Sequence, residues 1–357
     1  MKRALLGLGV AVVVVGALAY LFRTEITLRL IRNIASGNMS SSLLDSLPDG
    51  LHVALCGAGS PLPDPARSGP CVAVIAGDQL YIVDSGSGSS RNLARMRIPP
   101  ARVTAVLLTH FHSDHIDGLG ALEMQRWANS GSSSPLPIYG PEGVQAVVEG
   151  FNSAYANSRA GRTAHHGQEL VPSAGGGGIA VPFPEPAPGQ DLELIDRGGV
   201  RVTAFRVNHA PVEPAVGYRF EYKDRSVVVS GDTVKSPNLE RVAAGSDLLV
   251  HEALSARLVM ELTAAAEAAG NQRVAKLTRD ILTYHTTPIE AAEIARDAEV
   301  RHLLYYHIVP PLLLAPMETI FLEGVEDVYD GPVTLGRDGT LILMESGSDT
   351  IEVQEKL

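Results

Sequence analysis

Seven residues, Thr109-His-Phe-His-Ser-Asp-His115, hold three of the chain's eleven histidines and an aspartate, directly after the apolar run Val-Thr-Ala-Val-Leu-Leu. A run of that length predicts a buried strand, and the residues from Asp114 to Asp117 predict the start of a helix. The cluster therefore occupies the loop at the strand's carboxyl end, where open α/β sheets collect their ligands. Side chains two residues apart in extended chain face the same way, so His110 and His112 can grip one ion together. Asp114 and His115 can turn toward a second as the chain curls into the helix. Imidazole and carboxylate are the nitrogen and oxygen donors that borderline Zn2+ prefers. Without a cation the crowded imidazoles would push against one another once protonated.

From Leu51 onward the same grammar repeats. Short β-branched or apolar runs alternate with glycine turns: LHVALCG, CVAVIAG, QLYIVDSG, LPIYG, VRVTAFRVNH, VGYRFEY, RSVVVSGD, DLLVHEA and HLLYYHI, besides the run before the cluster. Helical segments are predicted at Asp117 to Asn129, Gly143 to Tyr155, Ser255 to Ala269, Gln272 to Thr283 and Pro288 to Ala298, the last with a proline suited to a first turn. Strands leading and helices entering at intervals predict an α/β layered domain. His209 ends one run, Asp232 follows another and His307 ends a third, so a buried sheet would deliver all three to one rim. Asp232 can bridge two cations while histidines complete each shell. The span Ser158 to Gly199, with glycines in a row at Gly175 to Gly178 and the tract PFPEPAPG, reads as a long loop or insertion, either a lid or a plain flexible excursion.

A length of 357 residues allows one large domain or two, and 45% hydrophobic against 19% charged residues excludes wholesale disorder. The net charge of −11 repels polyanions over most of the surface and argues against broad nucleic-acid binding, a local basic patch excepted. Met1-Lys-Arg precedes nineteen uncharged, largely apolar residues from Ala4 to Phe22, about the length that crosses a bilayer. This predicts export, as an uncleaved anchor or, through the small residues Ala17-Leu18-Ala19, as a cleaved signal. The expected layout is an anchor and basic amphipathic segment over 1–34, a linker over 35–49, the layered α/β domain over 50–345 and a tail over 346–357. Cys56 and Cys71 either form a disulfide or stand as two small buried residues in neighbouring strands, and neither belongs to a C-x-x-C pair.

On these residues the sequence resembles the metallo-β-lactamase-fold hydrolases, over about Leu51 to Met344. The resemblance is carried by His110-x-His112-x-Asp114-His115, His209, Ser230-Gly231-Asp232-Thr233 and His307. Within the superfamily it is most similar to the ribonuclease Z and arylsulfatase branch, through LCGAGSPLPDPARSG, YIVDSGSG around Asp84, THFHSDHIDGLGALEMQRW, DLLVHEA and YHTTPIEAAEIA. It implies a four-layer αββα sandwich with two Zn2+ at its edge, other divalent metals such as Mn2+ also being accommodated. His110, His112 and His209 would hold one ion, Asp114, His115 and His307 the other, with Asp232 between them. Di-iron relatives carry a glutamate where His112 stands, which points away from redox chemistry. The resemblance also implies that His285 donates a proton to the leaving group or stabilises its charge. Asp114 would orient the nucleophile, and Asp84, His251 and Glu252 would order the ligands through hydrogen bonds. Relatives are commonly dimers, which leaves a homodimer open.

The function expected from this set is an exported hydrolase that cleaves a small-molecule phosphodiester or sulfate ester with a metal-bridging hydroxide. It would be membrane-anchored and facing the exterior, or secreted, with nucleic acid unlikely as a partner. A ribonuclease Z-type tRNA 3′ endonuclease is the alternative, and a lactonase, a β-lactamase or a non-catalytic metal-binding membrane protein are further ones. The export segment, the acidic balance and the scarcity of lysine and arginine in Ser158 to Gly199 weigh against tRNA. Ser87 stands where ribonuclease Z carries the glutamate of its Asp-x-Gly-Glu-Gly tract. Trp127 reads as a core residue of the helix after the cluster.

Overall fold

The structure, a computed structural model, describes residues 15–357. They fall into two units, one up to Ser46 and one from Leu47 to Leu357. In the first, a helix spans Arg23–Ser40 and so runs on into the Ser/Gly/Asn-rich stretch expected as a linker. Most of Ala4 to Phe22 lies outside the described residues. Among those described, no helix is long and apolar enough to cross a membrane, so the bilayer-crossing anchor has no support from the fold.

The second unit is built on two sheets. The first has the order β15, β14, β1, β2, β3, β4, β5, β6. Here β1 is Leu51–Gly57, β2 Cys71–Ala76, β3 Gln79–Val83, β4 Val103–Leu107, β5 Leu136–Pro141, β6 Gly178–Phe183, β14 Thr340–Leu343 and β15 Glu352–Glu355. The second has the order β13, β12, β11, β10, β9, β8, β7. Its strands are β7 Asp191–Arg197, β8 Val200–Arg206, β9 Val216–Tyr222, β10 Arg225–Val229, β11 Leu248–Leu254, β12 Leu303–Val309 and β13 Val333–Leu335. Every apolar run singled out from Leu51 onward is a strand.

Burial on two faces explains why those runs are so uniformly apolar. Val53, Val74 and Leu107 of the first sheet meet Val202, Phe220, Val250 and Tyr306 of the second in a shared inner core. On the outer side of the second sheet, Val228, Leu249 and Tyr305 pack with Ala291, Ile294 and Ala295 of the helix Pro288–Asp297 and with Phe321 of Ala315–Leu322. The helices Leu119–Ser130 and Val144–His166 cover the first sheet at β5 and β6. The result is an αββα sandwich. Each such Val, Leu or Phe contributes about 1.5–3 kcal/mol on burial, enough for packing to override local propensity in placing the strands.

Strand direction then decides what gathers at one rim. In the second sheet β10, β11 and β12 run parallel, while β9 is antiparallel to both β8 and β10, which leaves β8 pointing the same way as β10. The carboxyl ends of β8, β10 and β12 therefore emerge together. In the first sheet β3 and β4 are also parallel.

Two sequence expectations change. The span Ser158 to Gly199 is not one long loop. Its start completes the helix Val144–His166 and its end supplies β6 and β7. The glycines lie where side chains press in, and a Cβ on Gly178 would meet Ile138 Cδ1 at 2.3 Å and Glu123 Oε1 at 2.8 Å. They permit close packing rather than motion. Residues 346–357, expected as a tail, include β15, which pairs with β14 and covers what would otherwise be an open edge. Cys56 and Cys71 are joined as a disulfide linking β1 and β2.

Candidate metal centre

His110 follows β4, His209 follows β8, Asp232 follows β10 and His307 lies within β12, so four strands of two sheets converge on one point. The chain after β4 turns at once into the short helix Ser113–Ile116, which carries Asp114 and His115 inward, with His112 in extended backbone just before it. His307 needs a further device. Glu252 pairs with Tyr306 and Ala253 with Ile308, leaving His307 as the extra residue of a bulge, with φ +46°. A left-handed backbone is unfavourable for a non-glycine residue, and here it aims the imidazole at the other donors.

The candidate donors form two adjacent sets, each with its ligand atoms within 4.8 Å of one another: His110, His112, His209 and Asp232 in one, Asp114, His115 and His307 in the other. Asp232 Oδ2 stands between them, 3.8 Å from His110 Nε2, 3.9 Å from His209 Nε2, and 3.4 Å from both His115 Nε2 and His307 Nε2. Asp114 Oδ2 lies 3.3 Å from His307 Nε2 and 3.6 Å from His115 Nε2.

Behind the donors a second layer occupies the far ring nitrogens. Asp84 Oδ2 is 2.7 Å from His115 Nδ1, Thr109 Oγ1 is 3.0 Å from His110 Nδ1, and the Tyr284 carbonyl is 2.9 Å from His209 Nδ1. Asp84 also accepts from the Thr109 amide and hydroxyl, both at 2.8 Å, and is itself left-handed with φ +57°. With the far nitrogens engaged, each Nε2 faces the centre. His110 Nε2, His115 Nε2 and Asp232 Oδ1 are buried with no hydrogen-bond partner. Orphaned polar atoms of this kind are costly unless something positive sits among them.

The electrostatics agree. Burial and then the neighbouring His115 hold the His110 imidazole well below its ordinary pKa. Burial would raise Asp232, yet the facing imidazoles of His307 and His115 keep its carboxyl well below the usual range. Burial likewise opposes charge on His115, but Asp232 and Asp84 draw a proton onto it. The ionised carboxylates draw positive charge into the cluster, and a divalent cation, taking the place of the His115 proton, fits the residues present.

His285 joins a third set of possible ligand atoms with Asp232 and His307. Its Nδ1 sits 3.0 Å from Glu252 Oε1, which also accepts from the amides of Thr233 and Thr286. Burial alone would lower the His285 pKa, but the Glu252 carboxylate raises it to about 9. His251 behaves differently: its Nδ1 bonds the Glu252 carbonyl at 2.6 Å, and among the described residues no hydrogen bond joins it to a donor. Sequence reasoning missed Thr109, Thr233 and Tyr284, whose only signal was adjacency to a donor or to His285. Trp127 is fully buried and donates to the Pro172 carbonyl at 2.7 Å, away from the donors. A cleft of about 290 Å³ opens over the centre, lined by His112, Asp114, His285 and Tyr284 and walled on its apolar side by Leu62, Leu277, Ile281 and Val309.

The family model described as Metallo-beta-lactamase superfamily matches residues 64–277. The chain belongs to the metallo-beta-lactamase superfamily. Its members bind metal ions, usually zinc, in histidine and aspartate clusters of this kind. The match stops short of His285 and His307, so those two rest on the geometry above. Among curated relatives, Ribonuclease Z of Mycobacterium bovis strain BCG is 38% identical over 264 residues, covering 73% of this chain and 87% of that protein. Ribonuclease Z of Mycobacterium marinum is 34% identical over 290 residues, covering 81% and 96%. Among solved structures, the short form of human tRNase Z superposes with a TM-score of 0.57 at 22% identity, over 82% of this chain and 98% of that one. A metallo-beta-lactamase fold protein of Bacillus subtilis gives 0.56 at 19%, over 82% and 98%. At those identities the structural likeness speaks for the fold alone.

These relatives correct three expectations. The main functional reading, an exported hydrolase of small phosphodiesters or sulfate esters, gives way, because the curated relatives are named as ribonucleases. The expectation that nucleic acid is an unlikely partner falls with it. Its physical error was to read a whole-chain charge of −11 as if it described every surface. The exported, membrane-anchored or secreted location is withdrawn as well, since it rested on a segment mostly outside the described residues and no described helix is long and apolar enough to cross a membrane.

Proposed function

We propose that the chain is a ribonuclease Z-type endonuclease that cuts a phosphodiester bond on the 3′ side of precursor tRNA. Two divalent cations, Zn2+ by the donor chemistry, would be held by His110, His112 and His209 on one side and Asp114, His115 and His307 on the other, with Asp232 shared. The observation that carries the reading is the 38% identity over 264 residues to a protein named Ribonuclease Z. Its support at the level of chemistry is the set of seven donors aimed at one centre.

When bound, the cations supply Lewis acidity and bring the pKa of water toward about 7. The chain's own residues do the rest. Asp114, at the edge of the cleft, orients the attacking water and accepts its proton. His285 has Nδ1 engaged by Glu252, leaving Nε2 for the substrate, and with its pKa near 9 it carries a proton at neutral pH to give to the leaving oxygen. The apolar wall of Leu62, Leu277, Ile281 and Val309 limits water at the reacting bond. No serine or cysteine nucleophile is needed, and both cysteines are tied up in the disulfide.

The test is incubation of the zinc-loaded protein with a 3′-extended precursor tRNA. A single internal cut that disappears with a chelator and in Asp232→Ala supports the reading; RNA left intact by a folded, zinc-loaded protein overturns it.

A further inference from the structure

We infer that Tyr284 is a stacking platform: the cleft over the donors takes in the base of the nucleotide that carries the leaving oxygen and lays it on this ring. This rests on the ribonuclease reading above and adds what holds the strand beside the reacting bond. The lining of the cleft is of two kinds. His112, Asp114, Asp232, His285 and His307 suit a phosphate, whereas Leu62, Leu277, Ile281, Val309 and Tyr284 offer apolar and aromatic surface that neither phosphate nor ribose calls for.

The apolar part is fixed in place. Val309 is buried with Leu254 and Val259, and Leu62 and Ile281 pack against them. Leu277, on the helix Gln272–Asp280, is instead 57% exposed. A lone exposed leucine is ordinary, but one that lines a cleft together with a half-buried aromatic residue is a contact surface.

Tyr284 differs from the tyrosines that serve the core. The hydroxyls of Tyr218, Tyr305 and Tyr329 donate to the carbonyls of Leu108, Pro288 and Val300. Among the described residues the Tyr284 hydroxyl has no such partner, and the residue is only half-buried. Its carbonyl engages His209 Nδ1, a role open to any residue, so that contact does not account for the ring. The ring is braced all the same, with its centroid 4.8 Å from those of both His209 and His285. An aromatic group held in advance loses little freedom when a ligand settles on it.

His285 gives its proton to the leaving oxygen, so the base within reach of its neighbour Tyr284 is the one on the nucleotide bearing that oxygen. Stacking uses the π-face that every base has and so demands no particular base. It joins neutral groups, which a chain of net charge −11 can do without a basic surface.

The experiment compares wild type, Tyr284→Ala and Tyr284→Phe on three forms of a 3′-extended precursor tRNA: one intact, one abasic at the nucleotide bearing the leaving oxygen, and one abasic at the nucleotide across the cut. Zinc content is read for each protein, and Tyr284→Leu, which fills the space without a π-face, replaces the alanine variant if that one loses its metal. Removing the base on the leaving side is expected to raise KM about tenfold or more in wild type and in Tyr284→Phe, and by less than about twofold in the alanine or leucine variant. A merely structural tyrosine would change KM by the same factor on intact and abasic RNA. A wild type indifferent to the missing base, a base dependence undiminished without the ring, or one found only across the cut overturns the platform and leaves the ribonuclease reading standing. Intact RNA left uncut by zinc-loaded wild type overturns the ribonuclease reading, and the platform with it.

Discussion

Asp84 Oδ2 lies 2.7 Å from His115 Nδ1, while its other oxygen takes the Thr109 amide at 2.8 Å, so one carboxylate fixes both the end of β4 and an imidazole of the metal centre. Removing it frees the ring to rotate and lowers its basicity. Asp84→Ala is expected to weaken metal affinity by about 10–100-fold, measured by competition with a chromogenic chelator. Equal affinity in the two proteins would show that His115 does not depend on Asp84.

Glu252 stands in the same relation to His285, and the consequence is read in pH. Burial alone would lower the imidazole's pKa, and the carboxylate raises it to about 9. A proton donor works only while protonated, so the rate falls as pH rises through that value. Glu252→Gln keeps an oxygen for the Thr233 and Thr286 amides but removes the charge. The alkaline limb of the rate profile on precursor tRNA is expected to move down by about one pH unit or more. An unmoved limb would take His285 out of the donor role.

Glu123 gives a stability prediction away from the metal centre. It is buried under Gly178 with both carboxylate oxygens unpartnered, and burial, opposed by Arg159, raises its pKa from 4.5 to about 7. The folded chain therefore holds this proton more tightly than the unfolded one. The stability it contributes is fully present below pH 4.5 and is lost as pH rises through about 7, by roughly 3 kcal/mol in all. Glu123→Gln should melt above wild type at pH 8 and close to it at pH 4.5. A difference in Tm that does not change with pH would contradict the buried proton.

Gly86 tests how tightly the loop around the centre is packed. A Cβ there would meet the Asp114 carbonyl oxygen and the Gly69 carbonyl carbon, both at 2.4 Å and both backbone. Neither can swing aside. Gly86→Ala is expected to cost about 1–3 kcal/mol in denaturant unfolding and to weaken metal binding by displacing Asp114. Unchanged stability would mean that the loop yields.

The convergence of the candidate donors was legible because it obeys simple rules. Strands buried on both faces read as unbroken apolar runs, and chemistry collects at their carboxyl ends, which picks out His110, His209, Asp232 and His307 from the bare sequence. What stayed hidden depends on register. His251 and Glu252 are neighbours on β11, but only Glu252 reaches His285, and nothing in the local pattern distinguishes them. The bulge that turns His307 inward is set by pairing between β11 and β12, which no short window contains. The glycines at 175–178 looked like a flexible loop because sequence shows the missing side chain and not the neighbour that fills its place. The substrate expectation erred for a similar reason: net charge is a sum over the chain and describes no single surface.

Every step here depends on side chains from two sheets jointly caging divalent cations. The most direct measurement is the metal content of the purified, folded chain after equilibration with Zn2+ and removal of free ion, by mass spectrometry of the dissolved metal. The account predicts about two zinc ions per chain in wild type and a loss in Asp232→Ala that leaves the fold intact. A wild-type protein with native circular dichroism and no bound metal would contradict it.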